Sequence, residues 1–259
     1  MRYRMGSVRR LIGIGLAGTA MVAAASLMPA LPASAAPVTG PDADGTYLAL
    51  GDSVAFGYVP PQAVPAPNYS DPRSFVGYPE DVARALRIRV SNASCPGETT
   101  ASFLVPGALS NGCENSPGSS AGYRTQFPLH VQYRGTQMQY ALKYLAVHRH
   151  TRLVTINIGA NDVFLCQEST ADACASAAEV AGTEALNSAI ASVTEKFGGK
   201  VADGFAAFEG PSAAFGGSPC AAGLLIKLPN GTCNIHPSPA GHLLLAQAIE
   251  QVAGALPPK

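Results

Sequence analysis

Two residues at opposite ends of the chain, Ser53 and His236, have the chemistry of a nucleophile and its base. Ser53 stands in Gly51-Asp52-Ser53, directly after a short apolar run, and His236 is followed by Pro237 and a helical pattern. A serine on the turn after a buried strand projects its hydroxyl from the carboxyl edge of a sheet, where an adjacent histidine can take its proton. Taken singly, Gly-Asp-Ser also suits an ordinary turn and a lone histidine is more often structural, so Ser53 and His236 are candidates for a nucleophile and its base.

Two further segments offer donors to an oxygen that becomes negative during a reaction. Asn161 lies in Gly159-Ala160-Asn161-Asp162, directly after the strongest strand pattern of the chain. One such amide donor contributes about a hundred- to a thousandfold in rate. Gly97, in the segment 92–100, could present a backbone N–H beside the serine. Taken singly, the first segment also suits a β-turn and the second a disulfide-bearing loop.

The elements that must position these residues alternate between strands and helices. Apolar runs predict strands at residues 47–50, 88–90, 153–158 and 201–205, and helical spacing predicts helices at 75–86, 137–148, 183–197 and 239–253. The segment 91–128, rich in Ser, Gly, Pro and Asn, is expected to be a long loop. This alternation predicts an α/β domain with a central parallel sheet and helices on both faces, which binds its ligand at the carboxyl ends of the strands.

The helical patterns also predict which side chains face inward. In the helix at 137–148 the expected inward face is Met138, Ala141, Leu142 and Leu145, and the helix at 183–197 is expected to be capped by Thr183. In the terminal helix the expected inward face is Leu243, Leu244, Ala246 and Ile249, which leaves His242 on the surface.

The first 35 residues have the pattern of a signal peptide. Four arginines precede an apolar stretch from Leu11 to about Met28, and Ala33-Ser34-Ala35 forms a small-x-small cleavage site. A membrane anchor is the alternative, but three glycines inside the stretch and two prolines after it favour cleavage. The expected organisation is a signal peptide at 1–35, a linker at 36–45 and one catalytic domain at 46–259. The mature chain would have 13 Lys and Arg against 17 Asp and Glu, and it is expected to be secreted without a stable membrane anchor.

Six cysteines follow the predicted signal peptide, an even number that indicates three disulfides in an oxidising compartment. The nearest-neighbour pairing is expected: Cys95–Cys113, Cys166–Cys174 and Cys220–Cys233. No cysteine or histidine pair has zinc-ligand spacing, so no metal site is expected. The chain has no run of basic residues, so nucleic acid is not an expected partner.

Together, the four blocks resemble the SGNH (GDSL-type) hydrolase superfamily, and within it the secreted, three-disulfide esterases and lipases of actinobacterial type. The blocks occur in that family's order: Gly-Asp-Ser, a glycine, Gly-x-Asn-Asp, and His-Pro near the C-terminus. The resemblance implies a three-layer α/β/α sandwich with no metal or cofactor. It also implies Ser53 as nucleophile, His236 as base, and an oxyanion hole formed by the N–H groups of Ser53 and Gly97 and the side chain of Asn161.

The sequence departs from that family in two places. The family usually has an Asp two or three residues before the His, where this chain has Asn234 and Cys233. Either the Asn234 carbonyl or a backbone carbonyl could orient the imidazole. In addition, residues 163–184 contain no apolar run suited to a buried parallel strand, so the sheet is expected to lack one usual strand or to rebuild it from elsewhere.

Two functions follow from these observations. The first is hydrolysis of carboxylic esters, of lipid or small-molecule type, through an acyl-enzyme on Ser53. The alternative is a catalytically impaired secreted relative that binds an acyl or glycan ligand. The sequence leaves open the acyl-chain length, the alcohol specificity and the oligomeric state.

Overall fold

The computed structural model describes residues 45–116, 118–170 and 177–254, with side chains described outside 177–184. The predicted signal peptide, and all of the predicted linker except Gly45, lie outside these ranges. The strands are β1 (Thr46–Gly51), β2 (Arg89–Asn92), β3 (Thr151–Asn157), β4 (Leu225–Lys227) and β5 (Cys233–Pro237). The helices are α1 (Ser53–Phe56), α2 (Tyr78–Leu86), α3 (Thr100–Leu104), α4 (Tyr123–Gln126), α5 (Gln137–Val147), α6 (Ala160–Ser169), α7 (Ala177–Lys196), α8 (Gly204–Ala213) and α9 (Pro239–Ala253).

A parallel sheet in the order β2-β1-β3 forms the centre of the domain. In the central strand β1, Tyr47, Leu48 and Ala49 are fully buried, as expected for a parallel strand that is covered on both faces. Because all three strands run in the same direction, the residues that follow β1, β2 and β3 meet at one edge. The candidate site lies at that edge.

Helices cover both faces of the sheet, which confirms the predicted α/β/α layers. On one face, Tyr47 and Ala49 pack with Val82 of α2 and Ala246 of α9. On the other face, Leu48 and Leu50 pack with side chains of α3 and α5, including Phe103, Ala141 and Tyr144. The two sets alternate along β1 because successive side chains of a strand point to opposite faces.

The sheet has three strands within the described residues, and β3 forms one of its two edges. Val154 and Ile156 of β3 remain 42 % and 53 % exposed. The chain continues from β3 into α6, and the next described element is α7, so the described residues supply no further strand beside β3. This shortage agrees with the missing apolar run in 163–184.

Three local predictions were wrong. Residues 201–205 do not form a strand, because the Asp203 side chain accepts a hydrogen bond from the Ala206 N–H and caps α8. Thr183 does not cap a helix, since it lies inside α7. The expected loop 91–128 contains the short helices α3 and α4.

A small antiparallel hairpin of β4 and β5 precedes the terminal helix and was not predicted. The disulfide Cys220–Cys233 ties β5 to the segment before β4, and Cys95–Cys113 closes the loop after β2, as the nearest-neighbour pairing predicts. Cys166 also takes part in a disulfide, but its expected partner Cys174 lies outside the described residues. None of the helices in the described ranges has the length and apolarity that a membrane crossing requires.

Candidate active site

Ser53 lies where β1 ends and α1 begins. The Asp52 side chain caps this short helix by accepting the Val54 N–H through Oδ1 at 2.9 Å. Gly57 ends the helix with φ of +76°, and a Cβ at this position would lie 2.4 Å from the Gly77 nitrogen. The hydroxyl of Ser53 is therefore held on a tight turn between two fixed backbone segments.

The hairpin and the terminal helix bring His236 to Ser53. His236 lies near the end of β5, and its Nε2 is 2.9 Å from the Ser53 Oγ. The disulfided Cys233 begins the strand, and Ser238 caps α9 two residues after the histidine. The imidazole thus projects from a segment that is fixed on both sides.

Asn234 faces the other nitrogen of the imidazole. Its Oδ1 is 2.5 Å from His236 Nδ1 and also accepts the backbone N–H of His236 at 3.1 Å. Because a backbone N–H can be met only by the oxygen of the amide, this second bond fixes which end of Asn234 faces the ring. Nδ1 therefore carries a proton, and the lone pair of Nε2 faces the Ser53 hydroxyl.

The surroundings of His236 keep it neutral. The Tyr58 ring packs against the imidazole, with ring centroids 4.9 Å apart. Burial lowers the pKa of His236 to about 4, because the charged imidazolium loses hydration in this position. The imidazole is therefore a free base across the neutral and mildly acidic pH range.

This lowered pKa predicts an unusual acid limit for any reaction in which His236 is the base. We expect kcat/KM to keep its neutral-pH value down to about pH 5 and to fall to half near pH 4, instead of near the usual histidine pKa of 6.5. Below that point the imidazole is protonated and cannot take the serine proton. The measurement is a pH profile in which the released carboxylic acid is quantified by chromatography. A half-point near pH 6.5 would contradict it.

Asn161 and Gly97 line the same cavity as Ser53. Asn161, in the first turn of α6, is buried, and its Nδ2 donates to the Glu98 carbonyl at 3.0 Å while its Oδ1 accepts from Asn111 Nδ2 at 3.0 Å. One amide hydrogen of Asn161 is left for a further acceptor. Neither the Ser53 N–H nor the Gly97 N–H donates to another group in the part of the chain that the structure describes.

The backbone conformation at position 97 requires a glycine. Its φ is +86°, and a Cβ there would lie 2.2 Å from the Asn111 carbonyl oxygen. Asn111 is also bonded to Gly97, because its backbone N–H donates to the Gly97 carbonyl at 2.8 Å. Any side chain at this position would force the backbone at Gly97 and Asn111 apart.

Two buried carboxyl groups are adjacent in sequence to these donors: Asp52 precedes Ser53, and Glu98 follows Gly97. Burial, with a smaller contribution from Asp162, raises the pKa of Asp52 to about 7, and its Oδ2 has no partner among the described residues. Burial also raises the pKa of Glu98 to about 7. Glu98 accepts hydrogen bonds from Ser102 Oγ and from Gln137 Nε2.

Sequence reasoning missed Glu98 and Gln137, and it placed His242 wrongly. The inward face of α5 is Gln137, Ala141 and Tyr144, whereas Leu142 is 62 % exposed. In α9 the buried residues include His242, whereas Leu243 is 50 % exposed. Both helices therefore bury a face different from the one that hydrophobicity alone predicts. In each helix the buried face begins with a polar residue, followed by apolar or aromatic residues four and seven positions later, and this spacing could have identified Gln137 and His242 as buried.

A cavity of about 390 Å³ opens beside Ser53 and His236. Its walls are mostly aromatic or apolar, and none of its lining residues is Lys, Arg, Asp or Glu; they include Tyr58, Tyr123, Phe127, Phe164 and Ile235. A larger hollow of about 530 Å³ lies at the amino-terminal ends of β1 and β2 and contains none of the site residues. Within the described ranges, no three His, Cys, Asp or Glu side chains converge as metal ligands do.

Comparison with known proteins identifies the family. The model of the GDSL-like lipase/acylhydrolase family matches residues 49–180, which are 132 of the 259 residues and include Ser53, Gly97 and Asn161. No curated protein and no solved structure matches the chain. The matched segment begins within β1 and includes β2 and β3, and the carboxyl ends of these three strands carry the candidate site. The chain therefore belongs to the GDSL-like lipase/acylhydrolase family.

Proposed function

We propose that this protein is a serine esterase that hydrolyses carboxylic esters through an acyl-enzyme on Ser53. The observation that carries the proposal is the 2.9 Å contact between Ser53 Oγ and His236 Nε2, with Nδ1 engaged by Asn234. This is the arrangement of nucleophile, base and orienting group by which a serine hydroxyl is activated. Membership of an acylhydrolase family supports the same reaction.

In the proposed mechanism, His236 takes the proton of Ser53 as Oγ attacks the ester carbonyl. The carbonyl oxygen becomes negative and receives hydrogen bonds from the N–H groups of Ser53 and Gly97 and from Asn161 Nδ2. His236 then gives its proton to the leaving alcohol. Water, deprotonated by His236, attacks the acyl-enzyme and releases the acid together with free Ser53.

The cavity beside Ser53 favours an uncharged ester as substrate. Among the described residues its walls include no Lys, Arg, Asp or Glu that would pair with a charged headgroup, and its aromatic side chains bind apolar groups through burial of surface. We therefore propose small esters or acyl-lipids, with the acyl or alcohol group lying against Tyr123 and Phe127.

Labelling with a fluorophosphonate probe tests this function directly. The probe phosphonylates an activated serine, so mass spectrometry of the labelled mature protein is expected to locate the adduct on Ser53. Hydrolysis of a p-nitrophenyl ester above the buffer rate should accompany it.

The alternative, a catalytically impaired relative that binds an acyl or glycan ligand, is favoured by the uncharged Asn234. Absence of both labelling and hydrolysis would support that alternative.

Replacing Asn234 with aspartate is expected to raise kcat by about tenfold, because a hydrogen bond to a charged acceptor is about twice as strong and a carboxylate offsets the imidazolium charge. The same charge raises the pKa of His236, so the acid limit of the pH profile should move toward neutrality. Both quantities come from one pH series of initial rates. The matched control is Asn230→Asp, an exposed Asn of the same hairpin whose Oδ1 also accepts an N–H two residues ahead. An unchanged kcat with an unmoved acid limit would contradict the proposed role of Asn234.

We also propose that the protein is exported as a disulfide-bonded enzyme resembling the secreted three-disulfide esterases. The signal-peptide pattern of residues 1–35 and the disulfides Cys95–Cys113 and Cys220–Cys233 support this. The test is mass spectrometry of the protein from culture supernatant, for which an N-terminus near Ala36 is expected. Retention of Arg2 to Arg10 in the mature protein would contradict it.

A further inference from the structure

Gln137 makes three buried hydrogen bonds at the site without touching the cavity. It is the first residue of α5 and is fully buried. Its Oε1 accepts the Gly51 N–H at 2.9 Å, and its Nε2 donates to the Gly51 carbonyl at 2.7 Å and to Glu98 Oε2 at 2.6 Å. The side-chain amide thus bonds to both polar groups of one backbone residue, as a neighbouring strand would.

The position of Gly51 gives these bonds a consequence for Ser53. Gly51 is the last residue of β1 and lies two residues before the nucleophile. Its φ is +132°, and a Cβ there would lie 2.0 Å from the Asn157 carbonyl oxygen, so this end of β1 is packed tightly against β3. Gln137 fixes the opposite side of the same backbone residue. A shift of Gly51 would carry the Ser53 hydroxyl and N–H with it.

The third bond connects Gln137 to the remaining oxyanion donors. Glu98 follows Gly97 directly, and its side chain is anchored by Gln137 and Ser102. The backbone carbonyl of Glu98 accepts the amide of Asn161 at 3.0 Å. Hydrogen bonds therefore connect Gly51 through Gln137 to the Glu98 side chain, and Glu98 is joined to Gly97 by the peptide bond and to Asn161 by a hydrogen bond to its carbonyl.

We propose that Gln137 is a positioning residue that holds the nucleophile and the three oxyanion donors in one fixed arrangement. The proposal rests on the esterase function above, since it assigns Gln137 to that reaction. Its physical basis is that a displacement of about 1 Å among reacting groups lowers the rate by about a hundredfold. Because Gln137 lies outside the cavity, it contributes to the transition state without contributing to substrate binding.

The test replaces Gln137 with methionine, which has a similar length and no polar amide. We expect kcat to fall by about tenfold to a hundredfold while KM changes by less than about threefold. The rate of fluorophosphonate labelling should fall in parallel, because phosphonylation uses the same donors. The matched control is Gln139→Met, an exposed residue of the same helix whose Oε1 accepts the Thr136 N–H. This control should keep wild-type kcat.

A second variant, Gln137→Glu, keeps the shape of the side chain. An ionised carboxylate there can accept the Gly51 N–H but cannot donate to Gly51 or Glu98, and it repels the Glu98 carboxylate. Its kcat relative to wild type should therefore rise as the pH is lowered from about 8 to about 6, where the pair holds a proton. Asp52, Arg124 and Tyr133 also interact electrostatically with Glu98, and all three are retained in the variant.

The outcomes separate this proposal from the esterase function. A folded Gln137→Met protein with kcat within about threefold of wild type overturns the positioning role and leaves the esterase function intact. Circular dichroism shows whether the variants fold. If both Gln137→Met and Gln137→Glu fail to fold, Gln137 has only a structural role, and this too overturns the proposal. A wild-type protein that hydrolyses no ester overturns both.

Discussion

Replacement of Ser53 or His236 by alanine is expected to lower kcat for ester hydrolysis by about 10⁵- to 10⁶-fold. The two side chains act as one unit, since the hydroxyl is a weak nucleophile until the imidazole 2.9 Å away takes its proton. The double variant should therefore lose no more than either single variant. The measurement is kcat for a p-nitrophenyl ester in purified mature protein, with enzyme concentrations high enough to quantify residual turnover.

Two controls establish that this loss is specific. Ser70→Ala and His150→Ala change the same residue types at exposed positions outside the cavity, and both should keep wild-type kcat. Residual activity of the double variant above buffer would come from the oxyanion donors and from substrate binding, which survive removal of the nucleophile. Single variants whose losses multiply in the double variant would show that Ser53 and His236 act independently, which contradicts the mechanism.

The parts of the fold that could be predicted are those with a strong local pattern. The apolar runs that became β1 and β3 each precede a motif, so the sequence placed Ser53 and Asn161 at one edge of the sheet. The shortage of strands was also visible, since 163–184 contains no apolar run. In each case the information lies within one continuous segment of the chain, where periodicity is informative.

The rest depends on contacts between distant segments. Gln137 is polar and begins a helix, so its local context indicates an exposed position, yet Gly51 and Glu98 satisfy all of its buried polar groups. His242 is buried because α9 presents it, and not Leu243, to the domain. The hairpin of β4 and β5 is short and closed by a disulfide, and such segments carry little periodic signal.

Asn234 illustrates how a single amide can keep the geometry of a carboxylate without its charge. An asparagine in place of an orienting aspartate is damaging when its NH₂ faces the imidazole, because the ring then adopts the wrong tautomer. Here the backbone N–H of His236 holds the oxygen of Asn234 toward Nδ1. The site therefore keeps the tautomer and loses only the charge, which is why the expected gain of Asn234→Asp is modest.

Replacement of Asn161 by alanine is expected to lower kcat by about a hundred- to a thousandfold with little change in KM. The Glu98 carbonyl and Asn111 hold its amide in place, which leaves the second N–H of Nδ2 for the carbonyl oxygen of the substrate as it becomes negative. A donor that meets charge only in the transition state affects kcat and leaves ground-state binding unchanged. The measurement is the full dependence of initial rate on ester concentration.

The isosteric variant Asn161→Asp distinguishes the loss of the hydrogen-bond donor from the loss of side-chain volume. A carboxylate of the same shape presents negative charge where the amide donates, so kcat should fall at least as far as in the alanine variant, although the side chain fills the same volume. Asn187→Ala, an exposed asparagine of α7, is the matched control and should keep wild-type kinetics. If Asn161→Asp instead retained most of the wild-type kcat, the oxygen of the tetrahedral intermediate would have to lie elsewhere, on the side of Ser53 away from α6.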